Sequence, residues 1–436
     1  MKYQEVTRGH RKANVCLLLG LVLCLGMIAL GPLGFTGVAN GAEEKVLKIG
    51  SIGPFTGPAS RVGEEFKDAI TMAFDKINWK IGDYKVEMVW VDSESDAEKA
   101  AKAYEKAIVH DKIDVGFNTW HSWVSGSCMD VAAKYKVPHF FSFGAGKIIN
   151  EKYQSDPEKY KYWVGKTWPL PEKLSIGYIK TLEEAIAKGT WKPESKKVAI
   201  YGVDNDWGRN FGAAVKKQFE DAGWQIATED YVQLGETEFY PLLNKIKREH
   251  VAVAIGSMSD PPSVAAFIKQ SREVGVKSLI ISDGLGWVGE WYKLTGDASD
   301  YVLDQIPQWT TPEAKQFRDD FTKRFGFEPG ASSAALCYDT VRFFIKVLQT
   351  TLKDYGALNK ETLIKCAVEQ VIPGKLTFTD GIMMKEYKYT KETFPDPVVG
   401  KGYYIFPVIQ YTGGKGEIIW PEEWKTTDMK IPPEKK

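Results

Sequence analysis

The sequence predicts an α/β protein made of two doubly wound lobes. Three observations carry that reading. Short apolar strands alternate with amphipathic helices. The alternation runs twice, over 46–142 and 197–282, with a proline-bearing stretch between. The first strand leads through a glycine-rich loop into a helix without a nucleotide signature. Strand–helix alternation implies parallel sheets with helices on both faces.

The opening unit is 46–78. Val46, Leu47, Ile49 and Ile52 form a short apolar strand, and Phe66, Ile70, Phe74 and Ile77 recur at three- and four-residue steps, one face of a helix. The loop holds Gly53, Pro54, Gly57, Pro58 and Gly63, but neither G-x-G-x-x-G nor G-K-[ST]. A phosphate cradle needs glycines at fixed offsets, so this loop is no nucleotide site. Strands are expected at 46–52, 84–91, 113–117, 138–142, 197–202, 224–232, 251–256, 277–282 and 301–305. Helices are expected near 63–78, 97–110, 122–136, 172–188, 209–222, 240–249, 261–274, 312–325, 332–351 and 360–370. A lone strand at 160–165, followed by Pro169 and Pro171, separates the two runs. The helices of 312–370 have no strands between them and are expected to cover the first lobe. The segment 374–420, rich in Tyr, Phe, Thr and Gly, reads as antiparallel strands. The N-terminal lobe is thus expected to comprise 43–166 plus 307–372. The C-terminal lobe takes 167–306 plus 373–428, and a disordered tail 429–436 follows.

Residues 1–42 have the layout of a cleaved signal peptide: basic Lys2, Arg8, Arg11 and Lys12, an apolar stretch, then small residues around Ala39. Gly31 and Pro32 break the apolar helix, which favours cleavage over a retained anchor. Leu23 before Cys24 argues against a lipoprotein. The mature chain is therefore expected in the periplasm. The whole chain carries 57 basic and 57 acidic residues; removing the leader's four basic groups and Glu5 leaves about three surplus acids. That balance argues against nucleic acid, which calls for a basic patch. Cys128, Cys337 and Cys366 remain, an odd number that cannot form a full disulfide framework. Buried free thiols are the preferred reading, with a Cys337–Cys366 pair as the rival.

Reaction signatures are absent: there is no G-x-S-x-G, H-E-x-x-H, C-x-x-C or P-loop. Asp204-Asn205-Asp206 starts like a calcium loop, but no Gly stands at the sixth position and no Glu at the twelfth, so a helix-capping turn is the better reading. His110, His121, His139 and His250 lack a carboxylate or cysteine at ligand spacing. No catalytic, metal or cofactor site is expected.

Several strings in order resemble the branched-chain amino acid-binding (leucine-binding protein-like) type of periplasmic substrate-binding protein. They are IGSIGPFTGPASRVG, YKVPHFFSFGAG, VAIYGVDNDWGRNFGAAVKKQFEDAGWQI, GETEFYPLLNKIKREHVAVAIGS and SREVGVKSLIISDGLG. The resemblance covers 45 to about 410. It implies a type I, Venus-flytrap fold, two Rossmann-like lobes joined by three crossovers, that closes on a small ligand and works as a monomer. The implied partners are the ligand and the membrane permease subunits of an ABC importer.

Candidate site residues follow. Trp120, His121, Ser122 and Trp123 join a strand end to a helix start, where free N–H groups and the helix dipole suit a carboxylate. By resemblance Ser122 is the carboxylate-binding serine, although it could instead only cap its helix. Ser142, Phe143 and Gly144 form the family's second carboxylate loop; Gly146 stands where a Thr hydroxyl is common in the family. Asp283 matches the acidic position that holds an α-ammonium, against a plain turn Asp. Trp168, Trp207, Trp287 and Phe55 add to a set of cleft aromatics in a chain with 14 tryptophans. Arg61 and Met258 complete the candidates. The leading expectation is capture of an amino acid or amino-acid-like ligand. The rivals are a receptor for an aromatic carboxylate, an amide or urea, a sensor ectodomain, and an exported enzyme with a dispersed site.

Overall fold

A computed structural model describes residues 45–403 and 405–432 of the chain. The expected leader lies outside the described residues. No helix among the described residues is long and apolar enough to cross a membrane.

The first sheet has six strands: β1 (Lys45–Gly53), β2 (Lys80–Ile81), β3 (Tyr84–Asp92), β4 (Val115–Phe117), β5 (His139–Ser142) and β6 (Trp163–Lys166). Their order is β2-β3-β1-β4-β5-β6. All pairs are parallel except the short β2–β3 ribbon. Helices α1 (Ser60–Asp75), α2 (Ala97–Val109), α3 (Ser122–Tyr135) and α4 (Lys147–Ser155) connect these strands. The anticipated face of α1 is buried, with Phe66, Ile70 and Phe74 fully inside. Burying such a side chain stabilises by about 1.5–3 kcal/mol. The lone strand at 160–165 is the sheet's edge, β6.

The second sheet has seven strands: β7 (Lys197–Val203), β8 (Gln225–Val232), β9 (Val253–Ser257), β10 (Leu279–Asp283), β11 (Leu303–Gln305), β12 (Val408–Thr412) and β13 (Lys415–Trp420). They run in the order β13-β12-β11-β10-β9-β7-β8. β7 to β11 are mutually parallel, and the β12–β13 hairpin adds antiparallel to β11. The expected capping turn is present: Asn205 Oδ1 accepts from Gly208 N–H at 3.0 Å.

Two expectations are corrected. The described residues of 374–403 are not a set of antiparallel strands, for among them there is one isolated bridge, Phe378 to Tyr387. They also pack on the first lobe: Phe378 stacks on Phe343, Tyr389 on Phe141, and the Tyr387 hydroxyl donates to Asp339 at 2.8 Å. The chain therefore re-enters the second lobe only near β12, not at 373. The segment's aromatics bury against Phe343 and Phe141 of the first lobe, and Lys166 N–H of the edge strand β6 donates to the Pro395 carbonyl at 2.8 Å. The tail is held at its start, since Met429 is buried and Lys430 N–H donates to Gln410 Oε1 at 2.7 Å. Cys128, Cys337 and Cys366 are free and buried, so the rival Cys337–Cys366 pair is not formed.

Candidate functional site

A cleft with about 320 Å³ of empty space, open solvent included, lies between the lobes. Its lining comes from the carboxyl ends of strands in both sheets, where parallel α/β folds place ligands. After β4 come Trp120, His121, Ser122 and Trp123; after β5, Phe143 and Ala145; after β6, Trp168. The second lobe supplies Trp207 after β7, Ser259 after β9 and Trp287 after β10.

Four indoles form the wall. Trp120 meets Trp287 at 5.3 Å and 86°, and Trp168 at 6.1 Å and 78°. Trp168 meets Trp207 at 6.4 Å and 82°, and Trp287 at 6.0 Å and 76°. Phe66 of α1 sits behind Trp120 at 5.7 Å, and Phe143 flanks it at 5.9 Å. Edge-to-face packing of this kind joins rings from both lobes into one apolar surface. Gly284 makes the Trp287 placement possible. Its φ is +104°, and a Cβ there would lie 2.7 Å from the Trp287 ring.

The polar side of the cavity is the start of α3. Ser122 is the first helical residue and does not cap the helix; its Oγ accepts from Gly146 N–H at 2.8 Å. A Cβ on Gly146 would lie 2.8 Å from the Ser122 Cβ, which explains why no Thr side chain fits here. His121 stacks on Trp123 at 4.1 Å. Burial pushes the His121 imidazole down to about 3, so it is neutral at physiological pH. Four lining atoms are buried without a hydrogen-bond partner: His121 Nε2, Trp168 Nε1, Ser259 Oγ and Trp287 Nε1. Among the described residues no charged side chain lines the cavity.

Seven of the expected site residues are brought together: Trp120, His121, Ser122, Trp123, Phe143, Trp168 and Trp207. Six are placed elsewhere, Asp283 among them. Ser142 is buried beneath, with its Oγ accepting from Trp163 Nε1 at 3.0 Å. Gly144 lets its loop close on α3, where a Cβ would lie 2.7 Å from Ser125 Oγ. Met258 is in the core. Arg61 spans the cleft rim, pairing with Glu64 at 2.7 Å and, across the lobes, with Glu290 at 3.0 Å. Phe55 packs edge-on against Trp90, away from the cavity.

Asp283 lies one layer behind the wall. Its carboxyl accepts from Tyr178 at 2.8 Å and from Ser257 at 3.4 Å, and Ser257 in turn accepts from Trp207 Nε1 at 2.8 Å. Burial and the neighbouring Asp304 carboxylate hold Asp283 well above the usual carboxylate range. Asp304 collects four donors, from Gly284, Gly286, Gln305 and Tyr411. In such a pair the carboxyl that accepts more hydrogen bonds is the better able to hold the charge. Asp283, with two donors against four, is the partner pushed further toward the neutral form, and it does not line the cavity.

Ala145, Ser259 and Trp287 complete the lining. Trp287 was visible as a cleft aromatic, and Ser259 is one residue from Met258. The signal for Ser259 is its place between the strand end at Ser257 and the helix cap Asp260, whose side chain accepts from Ser263 N–H.

The described lobes touch along this cleft: Lys147 N–H donates to Asn210 Oδ1 at 2.6 Å and Ser333 to the Trp287 carbonyl at 2.6 Å.

A family profile described as periplasmic binding protein matches residues 46–387. Among curated relatives, the chain is 24% identical over 258 residues to a Leu/Ile/Val-binding protein homolog of Brucella suis, covering 58% of this chain. The match spans 61% of that relative's length. A crystal structure of a leucine-binding protein from Thermotoga maritima superposes with a TM-score of 0.69 at 18% identity, over 85% of this chain and 97% of the other. A solute-binding protein of an R. palustris ABC transporter, in complex with benzoate, gives 0.70 at 18% identity, over 86% and 95%. At these identities the structural likeness speaks for the fold.

Proposed function

The chain belongs to the periplasmic binding protein family, and from that premise we propose that it captures a flat aromatic carboxylate between its lobes and delivers it to an ABC importer. The observation that carries this reading is a cavity lined by five tryptophans and, among the described residues, by no charged side chain. Indole and phenyl faces suit an apolar, planar body. The carboxylate meets the free N–H groups and positive dipole end of α3, with the Ser122 hydroxyl beside it. An α-amino acid needs an anion for its ammonium, and leaving that charge unpaired in an apolar site is costly. The amino-acid expectation rested on Asp283, which is neutral and lies behind Trp207. The benzoate held by the R. palustris neighbour and the names of the Brucella relatives point to different ligand classes; the cavity's chemistry favours the former.

The role requires no chemistry on the ligand. Contacts with both lobes favour the closed form and exclude water. Export to the periplasm by the leader, a monomeric state and permease partners belong to the same proposal.

A thermal-shift screen of the refolded chain tests it, because a ligand that binds only the native state raises the melting temperature. Benzoate-class acids are expected to raise it and leucine to leave it unchanged. A shift with leucine, isoleucine or valine and none with aromatic acids restores the amino-acid reading.

A further inference from the structure

Four buried or half-buried tryptophans in this protein place their indole N–H on an acceptor. Trp163 donates to Ser142, Trp207 to Ser257, Trp123 to the Ser95 carbonyl and Trp224 to Glu183, at 2.8–3.1 Å. Among the described residues, Trp168 and Trp287 alone among tryptophans have a buried N–H with no partner, and both line the cavity. Their side chains are well buried, at 4% and 5% exposure. Ser259 Oγ, at 2% exposure, is a third unpartnered atom in the same lining. An indole N–H is a donor only, whereas a serine hydroxyl both donates and accepts. Buried donors left unmade are uncommon in native proteins and call for an explanation.

Trp287 and Ser259 belong to the second lobe, and Trp168 to the first crossover. They thus add donors from outside α3 to the same cavity lining. We propose that the ligand bears a hydroxyl on its ring, whose oxygen accepts from Trp168 and Trp287 and whose proton goes to Ser259. The ligand class is then a hydroxylated aromatic acid. This rests on the aromatic-carboxylate reading above and narrows it. It also gives the second lobe a specific part in recognition: its polar atoms meet the hydroxyl only when the lobes close. A ring lacking that oxygen leaves the buried donors unpaired, which is how hydrogen-bonding sites reject analogues.

Isothermal titration of the ligand-stripped full chain tests the proposal with benzoate, 3- and 4-hydroxybenzoate and 4-methylbenzoate. The methyl group matches the hydroxyl in size and lacks its hydrogen bonds. At least one hydroxybenzoate is expected to bind tenfold or more tighter than 4-methylbenzoate. That ratio is expected to fall toward one in Trp168→Phe or Trp287→Phe, which keep an aromatic wall and lose the N–H. Ser259→Ala serves as a third variant if a Phe variant does not fold, and it too should reduce the ratio. Equal affinities for the hydroxy and methyl acids in the wild-type protein overturn this inference and leave the aromatic-carboxylate reading standing. No binding by any of the four acids overturns both.

Discussion

Two buried polar clusters lie behind the cavity, and they solve the problem of burial in opposite ways. On the first-lobe side, Lys166 is fully buried and pairs with Asp396 at 2.7 Å, with Asn150 Oδ1 at 2.8 Å and the Ala145 carbonyl at 3.3 Å beside it. Asp396 also takes Lys173 at 3.1 Å and the Leu170 N–H at 3.1 Å. Burial works against the Asp396 charge, yet Lys166 and Lys173 hold its carboxyl below the usual range. On the second-lobe side, Asp283 and Asp304 have tyrosine, serine and backbone donors but no cation. One cluster keeps both charges because each meets its opposite; the other gives up one charge to a proton. The lesson is that neither cluster presents charge to the cavity, so the cleft is neutral by construction on both sides.

The largest expected effect breaks the first cluster. Lys166→Met leaves the buried Asp396 with the half-exposed Lys173 as its remaining cation, and losing one partner of a buried pair costs about 3–5 kcal/mol. The drop is read as a lowered denaturation midpoint, and a loss below about 1 kcal/mol contradicts the pairing described.

A third buried acid sharpens the comparison by having neither solution in full. Glu65 of α1 accepts from Gly330 N–H at 2.9 Å and touches the Ser333 hydroxyl, while Arg61 stays at 3.9 Å and Oε1 has no hydrogen-bond partner. Burial pushes it from 4.5 up to about 7. Between these values the folded protein holds a proton that the unfolded chain has released. Stability is therefore present below about pH 4.5 and is lost as pH rises to about 7, by on the order of 3 kcal/mol in total. Glu65→Gln should remove that share of the slope. Parallel stability–pH curves for the two proteins would show that Glu65 does not titrate in this window.

The smallest effect tests the second cluster. Asp283→Asn replaces a neutral acid with a neutral amide of like shape, so stability should change by less than about 1.5 kcal/mol and aromatic-acid affinity should hold. A tenfold loss of ligand binding would return Asp283 to the site as a charged group.

Most of the fold was legible in the sequence. The faces of α1 and the strands at 84–91 and 197–202 are local patterns, and period-2 and period-3.6 repeats need no knowledge of the rest of the chain. The first-lobe half of the site was legible for the same reason: Trp120 to Trp123 sit where a strand ends and a helix starts. The second-lobe half was less so, for Ser259 carries no local mark and Asp283 looks like a free strand-end carboxylate until Asp304 is beside it. The segment 374–406 misled because its aromatics fit strands as well as they fit a packed loop.

The sequence by itself determined the elements, their buried faces, the two lobes and the lack of reaction motifs. Those depend on spacing along the chain, which folding does not alter. Only the tertiary structure decided which indoles face the cavity, which N–H groups lack a partner and which buried acids keep their charge. These properties depend on neighbours that come from distant segments, as Asp396 does for Lys166 and Gly330 for Glu65. Electrostatics in a buried site is set by those neighbours and by the water they exclude.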